Sequence, residues 1–179
     1  FNLKGGYNIL AAIRKLKKNF TYQQIHFKLI NPNYEKQWYL KLYLKFFRIE
    51  KYVDFLPYQD NINNFYSTID CLLCASNAEA FGRVVTEAMI SKVPVIAGSN
   101  VGASEIIKNG INGYVYSYDK NTINNLVNSI KTAYKERNNN KELIKKAYET
   151  ANNISWNDFA NRLFEILSEN NDIYNCRLL

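Results

Sequence analysis

Two glutamates, Glu79 and Glu87, stand seven residues apart around a glycine in Ala75-Ser76-Asn77-Ala78-Glu79-Ala80-Phe81-Gly82-Arg83-Val84-Val85-Thr86-Glu87-Ala88-Met89. An apolar run, Ile69 to Ala75, precedes them, and an amphipathic stretch from Gly82 to Ser91 carries the second. The segment reads as strand, polar loop, glycine and helix. The start of a helix leaves backbone N–H groups without intrahelical acceptors, and such groups favour an anion such as phosphate. Gly82 lets a ligand approach the backbone closely. Carboxylates beside an anion site repel the anion, so they need another task. Accepting hydrogen bonds from hydroxyls, which sugars supply in plenty, is one. A loop glutamate and a surface-helix glutamate with no common role is the other reading, and residue types alone leave both open.

The remaining candidates for chemistry weaken on inspection. Cys71-Leu72-Leu73-Cys74 matches C-x-x-C, but it lies in the apolar run that reads as a strand. Residues three apart on a strand face opposite sides, so the two sulfurs diverge. His26 is the single histidine, too little to complete a four-ligand zinc site. With Cys176 the chain has three cysteines, which suits buried thiols rather than a disulfide framework. No G-x-G-x-x-G follows a strand, which argues against a nicotinamide dehydrogenase. No Asp-x-Asp pair occurs, so the sequence calls for no metal or other cofactor.

The formal charge of +7 raises nucleic acid as a partner. The cations, however, fall on the outer faces of several helices: Arg14, Lys15, Lys17 and Lys18; Lys36, Lys41 and Lys45; Lys141, Lys145 and Lys146. No basic helix is interleaved with aromatics, so the expectation is a solvated surface and no nucleic acid. A weaker expectation is attraction to anionic lipid headgroups. No apolar run approaches the ~18–20 residues that cross a bilayer, and the first residues lack a signal-peptide pattern. A cytoplasmic location is expected, with peripheral contact at the inner face of the membrane.

Elements that position Glu79 and Glu87 follow from periodicity. The 179 residues, 47% apolar and 22% charged, suit one domain with its own core. Helical periods run over Gly6–Phe20, Glu35–Ile49, Asn61–Thr68, Gly82–Ser91, Ser104–Lys108, Thr122–Glu136 and Lys141–Ala151. Ser155-Trp156-Asn157-Asp158 resembles a cap opening a last helix. Strands are read at Ile25–Ile30, Tyr52–Leu56, Ile69–Ala75, Val93–Ala97 and Tyr114–Tyr116. Alternation of helices with solid apolar strands predicts an α/β, Rossmann-like, doubly wound fold with a mainly parallel sheet. Ligands of such sheets lie beyond the carboxyl ends of the strands, which is where the Glu79 loop falls.

The segment E-A-F-G-R-V-V-T-E-A-M with V-P-V-I-A after it resembles the E-x7-E signature of bacterial-type retaining GT-B glycosyltransferases, above all family 4 (group 1). Lys4-Gly5 resembles that family's K-G, and Val53-Asp54-Phe55-Leu56-Pro57-Tyr58 its V-x-F-L-G-Y. Val101-Gly102-Ala103-Ser104-Glu105-Ile106-Ile107, Asn109-Gly110-Ile111-Asn112-Gly113-Tyr114 and Ser155-Trp156 resemble its later elements. The motifs occur in the family's order over nearly the whole chain. Pro57 stands at a usual glycine, Leu29-Ile30-Asn31-Pro32-Asn33 departs from I-x-G-x-G, and Ala103-Ser104 replaces a glycine and a common proline.

The resemblance implies the carboxyl-terminal, donor-binding half of a GT-B enzyme. It would bind a nucleoside-diphosphate sugar and transfer the hexosyl group, with retention, to a glycan or lipid-linked acceptor. By resemblance, Glu79 is the catalytic residue and holds sugar hydroxyls near the reacting carbon. Lys4 pairs with the diphosphate, backbone around Phe81, Gly82, Arg83 and Val84 contacts sugar or phosphates, and Glu87 holds the ribose. Arg83 adds positive charge, and the Pro57-Tyr58-Gln59 loop puts Tyr58 beside the base. The resemblance also implies that residues 1–179 form a partial donor domain. It lacks a first, central strand ending in Gly-Arg and an amino-terminal acceptor domain, so turnover by the chain alone is not expected. Two alternatives stay open: a non-catalytic nucleotide-sugar-binding module, and a GT-B-type sugar-nucleotide epimerase.

Overall fold

The computed structural model describes residues 4–154; the expected helix after Ser155 lies outside them. Helix α1 (Gly6–Leu16) buries Ile9, Leu10, Ile13 and Leu16 along one stripe. Each such side chain removed from water contributes about 1.5–3 kcal/mol. The expected continuation to Phe20 is corrected: the α-helix stops at Leu16. Beyond it, Asn19 Oδ1 accepts the Thr21 N–H at 3.0 Å, a local bond that competes with helix propagation.

Strand β1 (Phe27–Ile30) follows, then α2 (Trp38–Phe47) and β2 (Val53–Leu56). Helix α2 is shorter than Glu35–Ile49 at both ends. Tyr34–Lys36 forms a tighter 3-10 turn, and Tyr34 stacks on Phe55 at 3.9 Å between ring centres. At the other end Arg48 adopts a left-handed conformation, φ 50°, and the Ile49 N–H reaches back to the Leu44 carbonyl at 3.0 Å. That closure satisfies the last carbonyls and ends the helix. Next come α3 (Ile62–Tyr66), β3 (Leu72–Cys74), α4 (Arg83–Ile90) and β4 (Val95–Gly98). Gly102–Ile106 is 3-10 rather than the α-helix expected over Ser104–Lys108. β5 (Tyr114–Tyr116), α5 (Thr122–Glu136) and α6 (Lys141–Asn152) complete the described chain.

All strand pairs are parallel, in two hydrogen-bonded groups, β1–β2 and β3–β4–β5. Helices cover both faces. Buried residues of α1, α2 and α5 share one core with Ile96, Tyr114 and Tyr116, while α4 and the Ala147 and Ala151 positions of α6 share a second with Cys74, Val95 and Ala97. Strand β4 is buried at all four positions, as a strand enclosed from both sides must be.

Cys71 packs on the first core and Cys74 belongs to the second, the divergence expected of residues three apart. Burial, with Asp70 nearby, pushes the Cys71 thiol up to about 12, so it stays protonated at neutral pH and is a poor nucleophile.

Candidate functional site at the carboxyl end of strand β3

The site starts from a glycine turn. Gly5 has φ 71°, and a Cβ placed there would fall 1.6 Å from the Ala75 carbonyl oxygen. Only glycine combines that backbone with that approach. The turn preceding α1 thus rests directly on the end of β3. Lys4, one residue earlier, reaches across it, and its Nζ donates to Glu79 Oε2. The lysine side chain is 73% exposed and the glutamate 22%, so the pair sits at a surface, where Coulomb attraction is weak and a polyanion can compete for the ammonium.

The loop that carries Glu79 is held from the next crossover. Glu79 and Val101 form an isolated parallel bridge. The Glu79 carbonyl accepts from Gly102 N–H at 3.3 Å, and the Phe81 carbonyl accepts from Ala103 N–H at 2.6 Å. A Cβ on Gly102 would lie 2.0 Å from the Ala80 carbonyl oxygen, so the two loops touch backbone to backbone. Asn100 adds a clamp: its Nδ2 donates to the carbonyls of Ser76 at 2.7 Å and Asn77 at 3.1 Å.

Gly82 is buried, has φ 87° and forms the amino-terminal cap of α4. No side chain caps this helix, and the first backbone bond back is Val85 N–H to Gly82 carbonyl at 2.9 Å. The amides of Arg83 and Val84 therefore remain for water or a ligand, at the positive end of the helix dipole. Phe81, Arg83 and Val84 are exposed beside them. Glu87 lies in the second turn of α4, half-buried, and Tyr66 of α3 supplies its partner. The Tyr66 hydroxyl is shared between Glu87 Oε2 at 3.1 Å and the Val84 carbonyl at 3.2 Å. Burial first, then Glu87, raise the Tyr66 pKa, so the hydroxyl stays a donor and holds the carboxylate in place.

Of the sequence-predicted residues, the structure brings Lys4 onto Glu79 and packs Gly82 against Glu79, whose Cγ would lie 3.3 Å from a Cβ there. Phe81, Arg83, Val84 and Glu87 follow on the same loop and helix. Tyr58 is 74% exposed in the loop after β2, which belongs to the other strand group. Tyr66, Asn8, Asn77, Asn100 and Tyr118 escaped the sequence reading. Asn77 Oδ1 accepts from Asn8 Nδ2 at 2.7 Å and from the Tyr118 hydroxyl at 3.2 Å. A cavity of about 430 Å³ opens next to this trio, lined by Asn8, Tyr118, Asp119 and Asn124 among others. The one available signal was position: Asn77, Asn100 and Tyr118 each follow the carboxyl end of a parallel strand.

Residues 1–150 match the family described as Glycosyl transferases group 1. A stretch of 72 residues, 40% of this chain, is 39% identical to the N-acetyl-alpha-D-glucosaminyl L-malate synthase of Bacillus anthracis, covering 19% of that protein. Among solved structures, the carboxyl-terminal domain of a group 1 glycosyl transferase (LpcC) from Francisella tularensis superposes with TM-score 0.72 at 21% identity, over 86% of this chain and 80% of that one. Anabaena Alr3699/HepE in complex with UDP-glucose superposes with TM-score 0.73 at 22% identity, over 93% of this chain and 46% of that one. The chain thus spans about half of the Anabaena protein and a smaller share of the Bacillus one. With the family matched over 150 residues and both core faces folded as in a GT-B carboxyl-terminal domain, this chain belongs to the group 1 glycosyl transferases.

Proposed function

We propose that this chain is the donor-binding half of a retaining hexosyltransferase, gripping a nucleoside-diphosphate sugar at the carboxyl end of β3. The observation that carries the reading is the meeting of Lys4 with Glu79 beside the uncapped start of α4. A cation and free amides suit a diphosphate; a carboxylate next to them suits sugar hydroxyls. Glu87, oriented by Tyr66, is the acceptor for the ribose hydroxyls. Tyr58, on the loop after β2, is assigned to the base. The UDP-glucose complex of the Anabaena protein supports the class of donor.

In the proposed transfer the bond from the anomeric carbon to the diphosphate oxygen breaks, and its electron pair leaves with the diphosphate. Lys4 and the α4 amides meet that charge where it develops, the usual route by which a site lowers such a barrier. The acceptor hydroxyl, from a glycan or lipid-linked sugar, forms the new glycosidic bond on the same face and passes its proton to the departing diphosphate. This scheme draws its positive charge from the protein alone. The acceptor itself is assigned to a preceding domain, so residues 1–179 should bind donor yet turn over little acceptor.

Titration calorimetry with UDP, ADP, GDP and their glucose conjugates tests the donor site. Replacing Glu79 and Glu87 together by Ala should weaken binding of the preferred conjugate by about tenfold or more, since each loss removes hydrogen bonds to a charged acceptor. Unchanged affinity in that double variant sinks the reading.

A further inference from the structure

Helix α2 carries two apolar faces, and among the described residues only one has a partner. Leu40 and Leu44 are buried in the core. On the opposite side Trp38, Leu42 and Phe46, spaced four residues apart, are 70%, 58% and 77% exposed, with Tyr39 beside them. Residues at i, i+4 and i+8 line up along a helix, so the three side chains form a continuous outward stripe. An isolated exposed leucine is ordinary; a stripe of tryptophan, leucine and phenylalanine on one face marks an interaction surface.

The charge around that stripe is one-sided. Phe46 also lines a groove of about 490 Å³ between α1 and α2, where Arg14, Lys15, Lys17, Lys18 and Arg48 converge. Among the described residues no Asp or Glu lines it. The partners these cations do have are neutral. Lys17 reaches the Phe47 carbonyl, Lys15 the Asn124 side chain, and Arg14 lies 3.5 Å over the Phe47 ring and 3.3 Å from the Tyr43 hydroxyl. Among the described residues none of the five forms an ion pair, whereas Lys41, on the flank of α2, is paired with Glu35. Five unneutralised cations therefore sit at the edge of an apolar stripe, sharing Phe46 with it.

We infer that this face of α2 and the adjoining groove form a docking surface for an anionic lipid bilayer. The two halves need different things from one partner: the groove needs phosphate or carboxylate groups, the stripe needs hydrocarbon. A bilayer presents both within a few ångströms of depth. An amphipathic helix with Trp, Leu and Phe outward and cations at its margin lies in that plane. Tryptophan favours the headgroup boundary, and the lysine stems bury along the apolar edge while their ammonium groups stay in water. Nucleic acid answers only the groove; it offers nothing to Leu42. Among the described residues no helix is long and apolar enough to cross a membrane, so the contact lies on the surface. The inference is independent of the donor site, which occupies the end of β3, and it specifies a region for the headgroup attraction expected from the net charge.

The full chain is tested by co-sedimentation with vesicles of phosphatidylcholine containing phosphatidylglycerol, against phosphatidylcholine alone. Binding should require the anionic lipid and weaken with added salt. Replacing Lys18 by Gln and Arg48 by Asn should lower partitioning roughly fivefold per cation. The variant W38Q/L42Q/F46Q, changed only at exposed positions, should lose about tenfold or more while keeping its circular dichroism and its donor affinity. The milder W38F should still bind but lose most of the tryptophan quenching by brominated acyl chains. Equal binding of the triple variant overturns the inference, as does indifference to phosphatidylglycerol. Two further results do the same, each with no vesicle binding by the wild-type chain: a DNA duplex bound equally by the wild type and the triple variant, and a wild-type dimer that the triple variant abolishes.

Discussion

Adding one methyl group at Gly5 should be far more damaging than adding it at another glycine of similar backbone angle. Gly5, Gly82 and Gly110 have φ of 71°, 87° and 74°. For alanine that conformation costs about 1–2 kcal/mol by itself. At Gly110 nothing lies within 4 Å of the new Cβ, so Gly110→Ala should show that cost alone. At Gly82 the Cβ would meet Val101 Cγ1 at 2.8 Å, a side-chain obstacle that adds overpacking of about 1–3 kcal/mol. At Gly5 the obstacle is the Ala75 backbone, with the oxygen at 1.6 Å and its carbon at 2.4 Å. No rotamer change relieves that, so the turn must lift from β3. Gly5→Ala should therefore reach the upper end of the combined range, about 2–5 kcal/mol, a large share of the ~5–15 kcal/mol that holds a typical domain together. Lys4 rides on that turn and would withdraw from Glu79, so donor affinity should fall with stability. Urea denaturation by circular dichroism and donor titration on the three variants give both readouts. If Gly5→Ala lost no more stability than Gly110→Ala and bound donor normally, the seating of the Lys4-Gly5 turn on β3 would be refuted, and with it the placement of Lys4.

Tyr66→Phe removes the donor to Glu87, a bond to a charged group worth about 1.5–3 kcal/mol. Thermal unfolding should show that loss, and the freed carboxylate should bind donor more weakly; unaltered donor affinity would show that Glu87 needs no positioning. Stability should also fall at high pH. Burial first, then neighbouring groups, raise the pKa of Tyr66, Tyr114 and Tyr116 in the folded chain, whereas unfolded tyrosines ionise near pH ~10. Below that pH the stabilisation is fully present; above it the unfolded state binds fewer protons than the folded one, so stability declines as pH rises. Denaturation across that range should show the decline, and Tyr116→Phe should flatten it. That substitution also deletes a buried hydroxyl without a hydrogen-bond partner among the described residues, so near neutral pH it should cost little.

Much of this architecture was legible in the linear pattern. The periods of Ile9, Leu10, Ile13 and Leu16, and of Leu126, Val127 and Ile130, set the faces of α1 and α5 because burial must follow the helical repeat. The solid run around β4 announced a strand enclosed on both sides. Element ends were less legible, since Asn19 and Arg48 end helices through local bonds and a left-handed residue that periodicity does not register. Glu79 and Glu87 were visible from spacing. Tyr66 was not, because nothing in an isolated Asn-Phe-Tyr marks a hydroxyl that must cross to another helix.

Residue order by itself determined the alternation of helix and strand, the two buried thiols on opposite faces, and the glutamates at a strand's carboxyl end. Those are consequences of period, and period is local. Tertiary structure alone decided that Lys4 meets Glu79 across 75 positions and that Tyr66 reaches Glu87 from another helix. It also brought Arg48 from the end of α2 to the Arg14, Lys15, Lys17 and Lys18 cluster in one groove. The physical reason is range: hydrophobic period acts within a turn or a strand, whereas charges and hydroxyls find their neighbours only after the sheet has set which loops share an end.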